Sequence, residues 1–446
     1  MALSKYDELL TKFRKPLEKP GRNWWMLFIA MSILVAIGIV ALILQIVYGH
    51  VITGMRDHVV WGLFIVNFIF FLGMGYAGAI MAAIFHLTKL KWTKPIHRIA
   101  EMFALVGSCV GPIFIFLCIG RLDKILNLFI YARLPSPITW DVIAIMTALI
   151  FDFTYLYIAH IRDFAKLRDT KVLNLPNWKR NLYRRLSLGY RGAPEQIKLL
   201  NQAQNILAVT IIPTAIIAYS LLGWLFGMSL RPGWHSTIFA PEFVIVALYS
   251  GIAMLILLMW IYRKSFKLQQ WITDQHFQYL GFAMFIFSMA FAYITFSEYI
   301  TEWYNVSETS GKWISKFLDP SEFGVYSFFT ILLAIVIPGI LLIIPRLRTP
   351  NKITLIAIAV LLGLWIKRYL IIVPTLETPF FPIQDMRPEY VHYSATWIEW
   401  ALTLGGIALG IIFLMIFNFF APVVPVSDIE HSDEIVVPKP FYQTLK

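Results

Sequence analysis

Charge is what this sequence lacks. Asp, Glu, Lys and Arg make up 14% of its 446 residues, while apolar types make up 59%; soluble chains run near one quarter charged. Water cannot be the main solvent for such a surface, which excludes an ordinary soluble enzyme. Cysteine is nearly missing as well. Cys109 and Cys118 sit nine apart in one apolar run, a spacing that fits neither CxxC nor zinc sites, so packing is their expected role. Histidine is too sparse for a metal cluster, and no metal or covalently bound cofactor is expected. No cleavable leader is expected either: the first apolar run is too long and no small-residue cleavage site follows it. The net charge is +12. In so apolar a chain it is read loop by loop as membrane topology, with the lipid bilayer and no nucleic acid as partner.

What the sequence does have is long apolar runs. A helix needs roughly 20 mostly apolar residues to cross a bilayer. Ten stretches qualify: 24–47, 58–88, 99–119, 140–160, 203–228, 239–262, 278–301, 322–345, 353–374 and 395–420. The second is long enough to imply tilt or extension past the lipid. Lys and Arg alternate between the loops. The N-terminal arm holds six, loop 89–98 four, loop 161–202 ten, and the loops on that side with the C-terminal tail reach 28, against 8 on the other side. Basic residues collect in the cytoplasm, so a multi-pass protein of a prokaryotic cell membrane with both termini cytoplasmic is expected.

The expected fold class is all-α integral membrane, about ten transmembrane helices, with two four-helix bundles (spans 2–5 and 6–9) and two flanking helices. Along the chain this gives a cytoplasmic arm over 1–23, a flanking helix and outer loop over 24–57, the first bundle over 58–228 and the second over 229–374. An outer loop and last helix over 375–420 and an extended cytoplasmic tail over 421–446 follow. Residues 3–20 read as a short interfacial helix with its basic side chains at the headgroups. The two-bundle reading rests on a repeat, Tyr76-Ala77-Gly78-Ala79-Ile80-Met81 against Tyr249-Ser250-Gly251-Ile252-Ala253-Met254. Gly73-Met74-Gly75-Tyr76-Ala77-Gly78 also spells GxGxxG. A dinucleotide site needs a strand before the glycines; these lie inside an apolar helix, where small residues let helices approach closely.

Ionisable groups inside spans are costly and mark pathways or sites. Asp57 and His58 open span 2 and Asp141 opens span 4, all at the outer end. Glu242 and Glu298, also at outer ends, are expected simply to reach water. Asn67, Tyr76, Asp152 and Tyr155 lie deeper in the first bundle, with His86, Glu101 and His160 toward the cytoplasm. Asp152 is 12 residues into span 4, ~18 Å deep at 1.5 Å per residue. Tyr76, Glu101 and Asp152 are expected to share one interior depth, as a proton path requires. Lys367 and Arg368, well inside span 9, are the candidate counter-charge of the second bundle.

Several stretches together resemble one family. They are Trp61-Gly62-Leu63-Phe64-Ile65-Val66-Asn67-Phe68 with the glycine string, then His97-Arg98-Ile99-Ala100-Glu101-Met102, Trp140-Asp141-Val142, Arg162-Asp163-Phe164-Ala165 and Leu167-Arg168-Asp169. Leu186-Ser187-Leu188-Gly189-Tyr190-Arg191-Gly192, Pro232-Gly233-Trp234-His235-Ser236-Thr237-Ile238-Phe239 and Lys367-Arg368-Tyr369-Leu370-Ile371-Ile372-Val373-Pro374 follow. In this order they resemble the NrfD/polysulfide reductase C family, in the long ten-helix branch that holds the ActC and ActF subunits of alternative complex III and DsrP-like subunits. The chain departs from ActC-like members in carrying Tyr76 where they have His, and in following Gly120-Arg121 with Leu122-Asp123 rather than Pro-Trp. The resemblance implies a membrane subunit that exchanges electrons with a quinone, of menaquinone type, as substrate. It implies a ferredoxin-like iron–sulfur subunit on the outer face and further redox subunits (a molybdopterin enzyme, multihaem cytochrome or HdrD-like subunit). A second membrane subunit and coupling to proton movement are further expectations.

With that resemblance the residues take roles. Asp57, His58, Trp61, Asn67 and Asp141 are the candidate quinone site, an apolar slot with polar groups at the carbonyls. Tyr76, His86, Glu101, Asp152, Tyr155, His160, Lys367 and Arg368 are the candidate proton path. Two other readings compete. A secondary transporter would use a repeat and helices broken at Pro213 and Pro338. A b-type cytochrome anchor would need facing histidines drawn from His58, His86 and His160.

Overall fold

A computed structural model describes residues 5–120, 124–304, 308–378 and 391–425. Most of the tail over 421–446, and the Arg121-Leu122-Asp123 departure, lie outside the described residues. Among the described residues ten helices are long and apolar enough to span a membrane: α1 Arg22–Tyr48, α2 Gly62–Thr88, α3 Lys94–Cys118, α4 Pro137–Asp169 and α5 Pro194–Gly227. They continue as α6 Phe239–Ser265, α7 Asp274–Tyr304, α8 Gly324–Leu341, α9 Pro350–Leu376 and α10 Trp397–Phe420. The protein is an all-α integral membrane protein. Its two ends differ in their content of Lys and Arg: α2 stops and α3 starts at the basic end, and the opposite end is the sparse end.

The helices begin and end where backbone chemistry allows. α3, α4, α5 and α9 carry Pro in their first turn, where its missing N–H costs nothing. Thr396 and Glu399 form a capping box at the start of α10. The second apolar run is not helical at 58–61; its helix starts at Gly62 and at 27 residues is still longer than the roughly 20 needed to cross. Gly62 has φ +46°, a conformation that suits glycine, and a Cβ there would fall 2.6 Å from the Tyr393 hydroxyl. Loop 161–202 is mostly helix. α4 runs on to Asp169, α5 begins at Pro194, and a separate helix spans Asn177–Leu186.

α2 to α5 pack together, α6 to α9 pack together, and α6 meets α2 and α5 between the two groups; α1 and α10 pair on the outside. Small residues set these approaches. A Cβ on Gly75 would lie 2.7 Å from the Ser108 nitrogen and one on Gly107 2.6 Å from the Gly75 nitrogen, so α2 and α3 touch backbone to backbone. A Cβ on Gly73 would strike the Tyr219 hydroxyl at 2.3 Å. The GxGxxG string thus packs helices. The two repeat motifs meet at the junction of the groups, where a Cβ on Gly251 would lie 2.4 Å from that of Ala77.

The N-terminal arm departs from the interfacial helix expected. It is two short helices, Lys5–Lys12 and Arg14–Glu18. Leu9, Leu10, Phe13 and Leu17 are buried against protein, and Phe13 meets the Phe266 ring at 5.1 Å. Lys179 locks the arm down by donating to the carbonyls of Leu17 (2.7 Å) and Phe419 (2.8 Å).

Candidate functional site

In the first helix group polar side chains form a file from the sparse end to the basic end. Asp141, four residues into α4, is buried, and its Oδ1 accepts no hydrogen bond among the described residues. The buried Tyr76 hydroxyl on α2 is likewise unmatched among them, and Asp141 and Asp152 both act on it electrostatically. Asp152 lies eleven residues beyond Asp141, three turns on and so on the same side of α4. It accepts a 2.6 Å hydrogen bond from Ser108 of α3. Tyr155, one turn further, lies 3.3 Å from His97 Nε2.

The file ends in a buried ion network. Arg98 donates to Glu101 at 2.7 Å and to Asp163 at 2.6 Å. Its Nη1 is 2.9 Å from His160 Nδ1, a nitrogen that also lies 2.7 Å from the Leu156 carbonyl. His97 is 3.4 Å from Glu101, and His86 bonds Asn205 at 2.9 Å. A cavity of about 100 Å³ opens beside the network, lined by His86, His97, Arg98, Glu101 and Arg162 among others. Tyr76, Glu101 and Asp152 therefore do not share one depth. Glu101 is seven residues from Ser108, two helical turns or ~10 Å nearer the basic end.

Of the residues expected at the quinone site, Asn67 turns away from the others. Trp61 stacks on Trp234 (5.9 Å, 16°) and meets Phe226 edge-on at 6.0 Å. From there the rings of Phe226, Phe243, Tyr219 and Tyr76 follow at 5.5–5.8 Å spacings, so an aromatic ladder leads from Trp61 to Tyr76. His58 is buried, while its neighbour Asp57 is exposed. Asn67 is committed elsewhere. It donates to Thr403 at 2.7 Å and accepts from Trp365 at 3.0 Å, joining α2 to α9 and α10. Nine residues from Tyr76, it lies on the opposite side of α2.

The second group corrects another expectation. Glu242 and Glu298 do not reach water. Both are buried with Lys367, whose Nζ lies 2.6 Å from Glu298 and 3.2 Å from Glu242. Arg368 points the other way, between the groups. It donates to the Leu364 carbonyl (2.8 Å) and Ser250 (3.3 Å), faces the Tyr219 hydroxyl, and lies 5.1 Å from the Phe70 ring. α8 is broken by a π-helical stretch at Leu332–Val336, and its Ala334 carbonyl accepts from Tyr249 (2.7 Å) and Ser288 (3.2 Å). Ser108 reaches Asp152 in the first group much as Ser288 reaches that carbonyl in the second.

Arg98, His97, Asp163, Ser108 and Tyr219 are not among the residues that the sequence singles out, although the first three stand in its motifs. Arg98 and Glu101, three apart, carried a usable signal as an i,i+3 ion pair. Nothing in the sequence announces Ser108 or Tyr219. At the sparse end, Glu399 accepts from the Gly54 and Thr396 N–H groups at 2.7 and 3.0 Å and from the Tyr393 hydroxyl. Glu377, just past α9, accepts from the Tyr393 N–H at 2.7 Å. Burial pushes its carboxyl up, against the opposing pull of that N–H and of Lys316.

The family model for polysulphide reductase, NrfD, matches residues 51–379. A selenate reductase subunit of Mesobacillus selenatarsenatis is 22% identical over 411 residues, 90% of this chain and 93% of that one. A putative dimethyl sulfoxide reductase membrane subunit of Halobacterium salinarum is 27% identical over 237 residues, 53% of this chain and 50% of that one. With its ten spans and buried polar file, this chain belongs to the NrfD family of reductase membrane subunits.

Proposed function

We propose that the chain oxidises a quinol at the sparse end of its first helix group and passes the electrons to a reductase. The observation that carries this reading is the pair of unmatched buried polar atoms, Asp141 Oδ1 and the Tyr76 hydroxyl, at the head of a file of hydrogen-bonding groups. The run of rings from Trp61 through Phe226 and Phe243 to Tyr219 and Tyr76 supports an aromatic-lined place for the quinol ring beside these acceptors. QH2 gives two electrons to an outer-face iron–sulfur subunit and two protons to Asp141 and water. Glu101, His97, Tyr155, Ser108 and Asp152 offer successive sites for a further proton taken up at His86 and His160, at the basic end, which is taken as cytoplasmic because it holds most of the Lys and Arg.

The relatives are named as a selenate reductase subunit and a putative dimethyl sulfoxide reductase membrane subunit, which supports an electron-consuming partner and hence quinol as donor; a molybdopterin enzyme, multihaem cytochrome or HdrD-like subunit would each fill that place. Menaquinol as the quinol type follows the family resemblance alone. Against the transporter reading, the broken α8 offers its Ala334 carbonyl to Tyr249 and Ser288 rather than to a ligand. The cytochrome reading fares no better, with His86 and His160 each bonded to protein partners.

The test is quinol oxidation by the intact complex carrying Asp141→Asn. A proton acceptor at this step is worth about 100-fold or more, and an assembled complex with the wild-type rate sinks the assignment.

A further inference from the structure

We propose that Glu242, Lys367 and Glu298 hold one exchangeable proton in the second helix group, and that Arg368 and Tyr219 tie its release to events at Tyr76 in the first. The trigger rests on the quinol reading; the proton site stands on its own geometry. Three side chains at most 3% exposed meet there, with Lys367 Nζ 2.6 Å from Glu298 and 3.2 Å from Glu242. Two acids share a single ammonium. Glu298 accepts its hydrogen bond, whereas neither oxygen of Glu242 accepts one among the described residues. With a proton on one carboxyl the triad is neutral, the arrangement a lipid-embedded interior favours. Without it the triad carries one negative charge, and the Arg368 guanidinium is close enough to Glu242 to answer it electrostatically. Both charge states have a counter-group in place.

A way to water is present. Glu302 lies one turn beyond Glu298 on α7, half-buried and toward the sparse end. The proton leaves a carboxyl as H⁺ by way of Glu302 and returns to the same carboxylate; no electron moves in the step. The other titratable neighbour of Lys367 is Tyr299, whose ring is 5.3 Å from Nζ.

The link to the first group is short. Arg368 faces the Tyr219 hydroxyl, and the Tyr219 ring lies 5.8 Å from that of Tyr76. The Tyr219 hydroxyl donates to the Ile69 carbonyl at 2.8 Å, which leaves its lone pairs toward the guanidinium. A charge change at Asp141 or Tyr76 shifts Arg368 toward or away from Glu242, and so shifts the hold on the proton.

The test is infrared difference spectroscopy of the intact complex in lipid, driven first by quinol and then by a pH step. Under the pH step, Glu242→Gln and Glu298→Gln are each expected to remove a carboxylic-acid C=O band that Asp152→Asn leaves in place. Tyr219→Phe is expected to keep that band under the pH step and lose it under quinol. Glu302→Gln is expected to slow its appearance about 100-fold, and this variant reads the same site if a triad variant fails to assemble. If every acid band survives in both triad variants, the proposal is overturned. If quinol gives no turnover in the wild type, the functional reading falls, and the pH step alone still decides whether the triad holds a proton.

Discussion

Asp152 has a single direct anchor among the described residues, the Ser108 hydroxyl at 2.6 Å, and that anchor makes it a relay rather than a strut. A structural acid in hydrocarbon is paired with a cation, as Asp163 is with Arg98. The two cases predict opposite phenotypes. Asp152→Asn keeps shape and hydrogen bond, so the protein should fold as before while proton uptake during quinol turnover falls about 100-fold or more, read with a pH dye in proteoliposomes. Arg98→Gln leaves two buried carboxylates without their cation. It should cost about 3–5 kcal/mol, seen as early unfolding on a thermal melt in detergent. Lys179 gives a third contrast, outside the spans. It is buried among carbonyls and rings with the Phe419 ring centre 3.3 Å from Nζ, and burial lowers its ammonium from 10.5 to about 8. The folded state then binds fewer protons than the unfolded one between these values. Stability from this group is therefore fully present above pH 10.5 and lost as pH falls through about 8. Lys179→Met should flatten the rise in melting temperature between pH 8 and 10.5. Composition could single out Asp152, because a lone acid in an apolar run is visible in one dimension. It could not tell buried Glu242 from a carboxylate at the water's edge, because that difference is made by Lys367 arriving from another helix.

At the scale of helices, the glycine string of α2 does two jobs. Gly75 and Gly107 bring α2 and α3 into backbone contact, which carries Ser108 to Asp152; Gly73 makes room for the Tyr219 hydroxyl. Gly75→Ala would set a methyl 2.7 Å from a backbone nitrogen, where no flexible side chain can yield. The helices must part, at a cost of about 1–3 kcal/mol. Both melting temperature and quinol turnover should fall, the second because Ser108 is drawn off Asp152; an unchanged melt would show that the helices do not touch there. Hydropathy fixes where such helices run, since a span is a solvent property of some twenty residues. It does not fix where they stop. α4 and α5 extend beyond their apolar runs as polar helix, whereas the π-helical break in α8 is marked in the sequence by Pro338, whose missing N–H frees the Ala334 carbonyl for the hydroxyls of Tyr249 and Ser288; which helices supply those hydroxyls leaves no trace.

For the whole molecule, an even number of spans puts both termini on one side, and the distribution of Lys and Arg predicts the cytoplasmic one. That distribution was legible in the sequence; the meeting of the two helix groups through Arg368 and Gly251 was not, because pairwise packing depends on which faces turn toward each other. Sidedness can be measured with Cys109 and Cys118 replaced and single cysteines set at Arg133, Lys198 and Lys264, all exposed. A membrane-impermeant thiol reagent should label Arg133→Cys in intact cells, and Lys198→Cys and Lys264→Cys only after the membrane is opened. The outcome bears on mechanism as well as topology. Asp141 and the Trp61 ladder lie at the sparse end, so this orientation delivers quinol protons and electrons to the outer face and leaves the Arg98 network facing the cytoplasm. The reverse labelling pattern would turn the polar file around. Protons would then be released into the cytoplasm, quinol oxidation there could not support an outward proton gradient, and an iron–sulfur partner would have to dock on the cytoplasmic side.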